Sequence, residues 1–464
     1  MQHDAHGYWL KEAGGADAVA PASGDLDADV VVLGGGYTGM WTAWQLLERA
    51  SDTRIVVLEA GVCGHGPSGR NGGFCETLWS NLPSLRERFG DERALAACEA
   101  SSDSVRAIGA WCEAEGVDAW FRRSGFVMAS TTEAQDAVVD EILEAAAGVG
   151  ALGSRVTALD AAAVRARCDS PRFRRGLLVP DDATLQPARL ALGLRRRLLE
   201  RGVAIHEHSR VRSLRVAGRQ AVVAETDSAR VRAKAGILAV NAATRGVRPL
   251  RSRLTVTSSH IVLTEPVPEL LAAIGWTGGE SITDGRTFLH YFRTTPDGRV
   301  AFGWGGGRLA YGARLTGRIE LDPHVAAVTH RHLVDYFPAF AGARITHAWG
   351  GPIDVAPSHL PQIGTLDDGP VHYAFGFTGN GVGPSHLAGR VLAGLALGDG
   401  DRSLALVDPA PFRVPPEPLA WAGGNVVRSA VLRAERLQAE GRRPDPLTRA
   451  VCAAPRALGI HVGR

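Results

Sequence analysis

The chain has 464 residues, 45% hydrophobic and 22% charged, with a mean hydropathy of -0.02. That is globular composition, long enough for two domains; it excludes a disordered chain and a coiled coil, and the 56 Gly and 25 Pro follow no collagen triplet. Lys and Arg number 51 against 49 Asp and Glu, a net charge of +2 with both signs dispersed, which argues against nucleic acid as a partner.

No apolar run reaches the ~18 residues a membrane span needs. Residues 1–26 lack the basic-then-apolar order of a secretory leader, so a cytoplasmic protein is expected. The six cysteines, Cys63, Cys75, Cys98, Cys112, Cys168 and Cys452, form no Cys-x-x-Cys pair. Reduced, mostly buried thiols are expected, with no metal site.

In chain order, the first signal is residues 28–33, ADVVVL, an apolar run of strand length. Gly34, Gly36 and Gly39 follow in the GxGxxG spacing, with Tyr37 and Thr38 inside it. Residues 40–49 have helical period, Met40, Ala43, Leu46 and Leu47 forming one stripe. A second strand, 54–58, ends at Glu59 and Ala60. Strand, glycine turn, helix, strand and acid together predict a Rossmann-like dinucleotide site. Gly34 makes the turn, Gly36 admits the pyrophosphate, Gly39 lets helix and strand pack closely, and Glu59 accepts from ribose hydroxyls. The helix N-terminus adds N–H groups and positive dipole for the phosphates.

A second glycine loop comes directly after: Ser68, Gly69, Arg70, Asn71, Gly72 and Gly73. Such a loop is not expected of a simple NAD domain and suits a flavin dinucleotide. Residues 82–150 carry helical patterns, then the strand-like GFVMAS. Residues 235–244, AGILAVNAAT, read as an apolar strand ending in small residues. Residues 245–347 hold alternating runs with Gly and Pro between them, which predict antiparallel strands. Residues 399–464 contain a Pro-rich stretch and an Arg-rich helical pattern, expected to be a surface extension.

The string SGRNGGF, with GGGYTG before it and GFTGNG at 376–381, resembles the D-amino-acid oxidase family of FAD-dependent oxidoreductases. Within the family the chain is most similar to the branch of γ-glutamylputrescine, glycine and sarcosine oxidases. The resemblance spans residues 27–398 and implies an α/β fold: a Rossmann-like FAD-binding domain from 27–81, 151–244 and 348–398, and a discontinuous antiparallel-sheet (α+β) substrate domain from 82–150 and 245–347. It implies that Val211 meets adenine through its backbone. It also implies that Gly376, Thr378, Gly379, Asn380, Gly381 and Val382 lie under the flavin, where the helix start near Pro384 steadies reduced-flavin charge.

The implied reaction is transfer of a hydride equivalent from a carbon beside nitrogen to flavin N5, followed by imine hydrolysis. The substrate is a small-molecule amine. O2 is the implied acceptor, quinone or protein acceptors and a non-catalytic flavin subunit being the alternatives. Residues that attach FAD in some members are absent, Arg70 standing about where a His would be, so FAD is expected to be non-covalent. Two carboxylate-binding positions of the family hold Gly351 and Gly383, expected to leave uncharged free space. Arg293 and Tyr291, on one face of a strand at 289–294, are the expected substrate-contacting pair, with His260 and His359 as weaker candidates.

Overall fold

The computed structural model describes residues 2–3, 6–218, 221–399, 404–407, 412–457 and 460. A six-stranded sheet carries the glycine turn. Its strands run in the order Ala204–His206, Ile55–Leu58, Val30–Leu33, Ala235–Leu238, Val371–Phe375, Gln362–Leu366. The first five are mutually parallel; Gln362–Leu366 is an antiparallel edge. Val30 pairs with both Ile55 and Ala235, and all four residues of each of those three strands are buried. This is the continuous apolar pattern of strands covered on both faces.

Helix Tyr37–Arg49 covers one face. Met40, Ala43, Leu46 and Leu47 are buried as their spacing predicts. Trp41 and Trp44 on other sides are buried too, edge-on to Trp111 at 5.1 and 5.5 Å. Helix Val382–Leu397 passes so close that a side chain on Gly389 would meet Trp41 Cβ at 2.7 Å. The helix is therefore buried almost all round, which a one-stripe reading underestimates.

A four-stranded sheet packs behind the first: the meander Ser213–Val216, Val222–Glu225, Ala229–Ala233, with Gly24–Asp27 parallel at its edge. The third large element is a nine-stranded sheet. Its core order is Ile345–Val355, Thr255–Thr264, Val300–Trp304, His290–Thr294, Ser281–Asp284, Phe126–Ala129, Gly176–Val179, Thr157–Leu159. These pairings are antiparallel except Ser281–Asp284 with Phe126–Ala129. Two expected boundaries move. Thr157–Leu159 and Gly176–Val179, expected in the dinucleotide domain, pair into this sheet instead. Ile345–Val355 begins before the expected boundary at 348 and crosses it without a break.

The C-terminal segment departs most from expectation. Helices Leu419–Ala439 and Pro446–Ala457 do not trail across the surface. Arg428 donates to Gly306 O and Gly307 O, and Glu435 accepts from Phe288 N, so the long helix docks on the loops of the nine-stranded sheet. Its periodicity gave its shape but not its partner, because the groups that hold it are main-chain atoms more than a hundred residues earlier.

Candidate active site

One cavity of about 1560 Å³ lies between the six-stranded and nine-stranded sheets, with the C-terminal helix along its wall. That exceeds the roughly 300–1,000 Å³ of a drug-sized pocket. Gly34, Gly36, Thr38 and Glu59 line one region; Ser259, Tyr291, Trp349 and Gly351 line another.

At the glycine turn, Gly34 has φ +106, and a Cβ there would lie 2.3 Å from Ala239 O. A Cβ on Gly39 would lie 2.0 Å from Gly34 O. Only glycine permits either approach. Helix Tyr37–Arg49 starts at Gly36 with no side-chain cap, its first residues facing the cavity. The Glu59 carboxylate is held by its own loop: Oε2 accepts from Gly35 N and Oε1 from Gly61 N, both at 2.8 Å. It braces the turn as well as facing the cavity.

The second glycine loop is tied down from several sides. Helix Pro67–Arg70 places Ser68 Oγ 2.8 Å from Tyr37 N. Trp9 Nε1 donates to Asn71 O at 2.9 Å and Trp349 Nε1 to Arg70 O at 2.8 Å. Gly73 has φ +75, and a Cβ there would stand 2.1 Å from Leu185 O. Arg293 lies directly beneath: its Nη1 donates to Gly73 O at 3.1 Å and Leu185 O at 2.6 Å, with its guanidinium 5.2 Å from the Trp9 ring. Arg293 is 2% exposed and does not line the cavity. The strand alternation put it on the correct face, but the glycine loop lies over it, so it is not placed to touch a substrate. Burial pulls its guanidinium down to about 10, still charged at neutral pH.

Tyr291, its neighbour on the same face, does reach the cavity. Its hydroxyl is 2.7 Å from Ser259 Oγ, which donates to Trp304 O at 2.9 Å. Burial pushes the phenol up to about 12. Ser259 was not singled out from sequence; only the pairing of strands Thr255–Thr264, Val300–Trp304 and His290–Thr294 brings it to Tyr291. Gly351 opens on the cavity, its nearest neighbour being the Arg70 guanidinium, 3.8 Å from where a Cβ would stand. Arg70 Nη1 pairs with Glu320 Oε1 at 3.2 Å. Gly383 is different: a Cβ there would lie 2.3 Å from Glu76 O. It is a packing contact at a helix start, not the free space expected.

The loop at 376–381 joins strand Val371–Phe375 to helix Val382–Leu397. Thr378 has φ +52. The helix begins at Val382, which puts Pro384 third in it rather than first. Asp354, also missed from sequence, holds this loop. Its Oδ2 accepts from Gly376 N at 2.5 Å, its Oδ1 from Asn241 Nδ2 at 2.8 Å, and its carbonyl from Thr378 N at 3.0 Å. Burial pushes its carboxyl up to about 7.

The family profile described as FAD dependent oxidoreductase (DAO) matches residues 29–395. The chain belongs to this family. It is 31% identical to gamma-glutamylputrescine oxidoreductase of Escherichia coli over 81% of this chain and 85% of that one. Its fold is shared with glycine oxidase from Geobacillus kaustophilus (TM-score 0.65, 19% identity, 81% and 96% of the two chains) and L-proline dehydrogenase from P. horikoshii (TM-score 0.65, 17% identity, 82% and 95%). The chain is thus an FAD-dependent oxidoreductase.

The cavity of this DAO-family chain fits FAD. Asn241 and Asn380 both line it, and the Oδ1 atom of each is buried without a hydrogen bond among the described residues, an acceptor suited to a bound group with N–H or O–H donors. Of the expected cofactor residues, Gly34, Gly36, Tyr37, Thr38, Glu59, Ala60, Ser68, Arg70, Asn71, Gly72, Val211, Thr378, Gly379, Asn380, Gly381 and Val382 line the cavity. Gly39, Gly69, Gly73 and Gly376 do not; a Cβ at any of them would meet protein atoms within 2.7 Å, so they shape the cavity wall from behind. No cysteine lines the cavity among the described residues, and His359 is the one histidine that does. His260 faces away, its Nε2 accepting from Asp322 N. All six thiols are free, and the described residues contain no metal-binding cluster. No helix among them is long and apolar enough to cross a membrane.

Proposed function

We propose that the chain oxidises a secondary or N-substituted amine at a carbon next to nitrogen, with O2 as acceptor and FAD held without a covalent bond. The observation that carries the reading is the continuity of one chamber from the glycine turn at Gly34 to the sheet floor at Tyr291. FAD, when bound, supplies the acceptor for the hydride equivalent. The cofactor-facing residues enumerated above are the ones we assign to its binding.

The chain's own part is position and polarity. Ile261, Phe288, Leu289 and Trp349 line the chamber and keep water from the reacting carbon. Thr257, Ser259, Ile261, Tyr291 and Trp349 give an uncharged floor, which favours a neutral amine over an ammonium. Tyr291 stays protonated across the physiological range, so it orients the amine nitrogen together with Ser259 rather than acting as a base. Arg70, the cation nearest Gly351, is matched by Glu320, which leaves a small α-amino acid without a dedicated carboxylate clamp there. We also assign the protein to the cytoplasm, a reading supported by its free thiols.

Anaerobic mixing with an amine panel tests the function. An N-carboxymethyl or aminoalkyl secondary amine is expected to bleach the flavin faster than glycine or D-alanine; equal or faster bleaching by D-alanine overturns the substrate reading. Admission of air should then yield hydrogen peroxide, and its absence overturns O2 as acceptor. Acid precipitation should release the flavin; flavin kept by the pellet overturns the non-covalent reading and makes His359 the first attachment point to examine.

A further inference from the structure

The wall formed by helix Leu419–Ala439 changes character along its length. Leu419, Ala420, Gly423, Gly424 and Val427 give the chamber an apolar surface, and Arg428 ends it. Two nitrogens of Arg428 are committed to the main chain: Nε donates to Gly307 O and Nη2 to Gly306 O, both at 2.6 Å. Its Nη1 makes no hydrogen bond among the described residues. Arg308, from the same glycine-rich loop, also lines the chamber. Its Nε donates to Asp322 Oδ2 at 2.8 Å, and its two terminal nitrogens make no hydrogen bond among the described residues.

Asp322 has no capacity to neutralise both. Its Oδ1 caps helix Pro323–Tyr336 through His324 N and Val325 N, and its Oδ2 is the atom that meets Arg308. Two guanidiniums and one carboxylate leave an excess positive charge on an otherwise apolar wall. Burial, with Arg308 adding to it, holds the Arg428 guanidinium below its usual value, Asp322 opposing. An anion entering the chamber would relieve that cost, and guanidinium donors suit a carboxylate's two oxygens. The pair is close to the chemistry but not in it: Arg308 N donates to Ser258 Oγ, and the next residue, Ser259, meets Tyr291.

We propose that Arg308 and Arg428 form a binding site for a carboxylate carried by the substrate at the end remote from the oxidised C–N bond. This rests on the amine-oxidation reading and adds the substrate class: an amine with a flexible apolar chain ending in a carboxylate.

Two measurements on the FAD-loaded enzyme test it. Calorimetric titration with glutarate, which holds no amine, should register binding to the wild type and binding weaker by tenfold or more in Arg308→Gln. Arg428→Gln should behave likewise; Arg308→Gln carries the test if the Arg428 variant loses its fold with the Gly306–Gly307 contacts. Anaerobic flavin reduction by N-methylaminocaproate should be favoured over reduction by its methyl ester, and Arg308→Gln should cut that preference tenfold or more. Equal glutarate binding by wild type and Arg308→Gln overturns the site. Equal handling of acid and ester by the wild type overturns the substrate class while leaving amine oxidation intact. Glutarate binding that depends on Arg308, with no amine reducing the flavin, upholds the anion site and overturns the amine reading.

Discussion

Arg293 is a cation buried without a carboxylate partner among the described residues, its Nη1 donating to Gly73 O and Leu185 O, its Nε buried without a hydrogen bond, and its guanidinium over the Trp9 ring. Truncation to alanine takes the 2.6 Å donor from Leu185 O, while Gly73 O keeps Leu185 N as its donor, and leaves a void under the second glycine loop. Each lost buried hydrogen bond costs about 1–3 kcal/mol. Arg293→Ala should therefore lower the Tm and weaken FAD binding while leaving the preference between an acidic amine and its ester unchanged. A differential scan and a flavin titration check the first two, and anaerobic reduction checks the third. Glu59 makes a parallel case. Its carboxylate accepts from Gly35 N and Gly61 N, bonds of about 1.5–3 kcal/mol each when charge-assisted. Glu59→Ala should raise the FAD dissociation constant by about tenfold or more, read by flavin fluorescence quenching; unchanged affinity would remove Glu59 from the site. Sequence could locate both residues but not their depth. Alternation along a strand assigns a face, whereas what lies on that face is set by a loop two hundred residues away.

At the scale of elements, the start of helix Val382–Leu397 and the docking of helix Leu419–Ala439 respond to different changes. Gly383 touches Glu76 O, so Gly383→Lys should not install a carboxylate anchor. It should instead separate the helix from residue 76, with a loss of roughly 3 kcal/mol in stability measured by urea unfolding. The C-terminal helix carries a titratable contact. Burial pushes Glu435 up to about 7 from an ordinary value of 4.5; Arg286 opposes this and Asp284 adds to it, and Cys452 of the following helix also faces it. A raised carboxyl favours the folded state fully below its unfolded value, and that contribution is lost as pH climbs through about 7. The Tm of the wild type relative to Glu435→Gln should therefore fall between pH 5 and pH 8; a flat difference would uncouple Glu435 from docking. The N-terminal strand-turn-helix-strand was legible because its parts are contiguous and their residues nearly all buried. The role of residues 419–439 was not, because an Arg-rich amphipathic pattern reads the same on a solvated helix as on one whose Arg428 and Glu435 reach main-chain atoms.

For the molecule as a whole, the chamber proposed to hold FAD is assembled from segments far apart in sequence. The turn at Gly34, the loop at 68–73, the stretch at Val211 and the loop at 376–381 all border one chamber. A ligand that binds only this assembled state raises the unfolding free energy by about 2.7 kcal/mol when present at a hundred times its dissociation constant. Removal of FAD should accordingly lower the Tm and broaden protease sensitivity across both sheets rather than in one, checked by limited proteolysis of apo and holo protein. The α/β class could be read from the glycine motifs. The sheet membership of Thr157–Leu159 and Gly176–Val179 could not, since two short apolar runs carry no mark of which sheet will accept them. The same dispersion bears on how the chain is made. Strand Val30–Leu33 sits between Ile55–Leu58 and Ala235–Leu238, and the latter awaits Val371–Phe375 on its other side. A ribosome adding about 5–20 residues per second leaves Val30–Leu33 with an open edge for roughly 10–40 s, and Ala235–Leu238 for roughly 7–27 s, before the second neighbour emerges. During that interval the nascent chain exposes apolar, hydrogen-bond-hungry edges that other nascent chains can pair with. Slow growth temperature or a supply of chaperone should thus raise the soluble yield more than added flavin does, because the cofactor has nothing to grip until the last of the strands has left the exit tunnel.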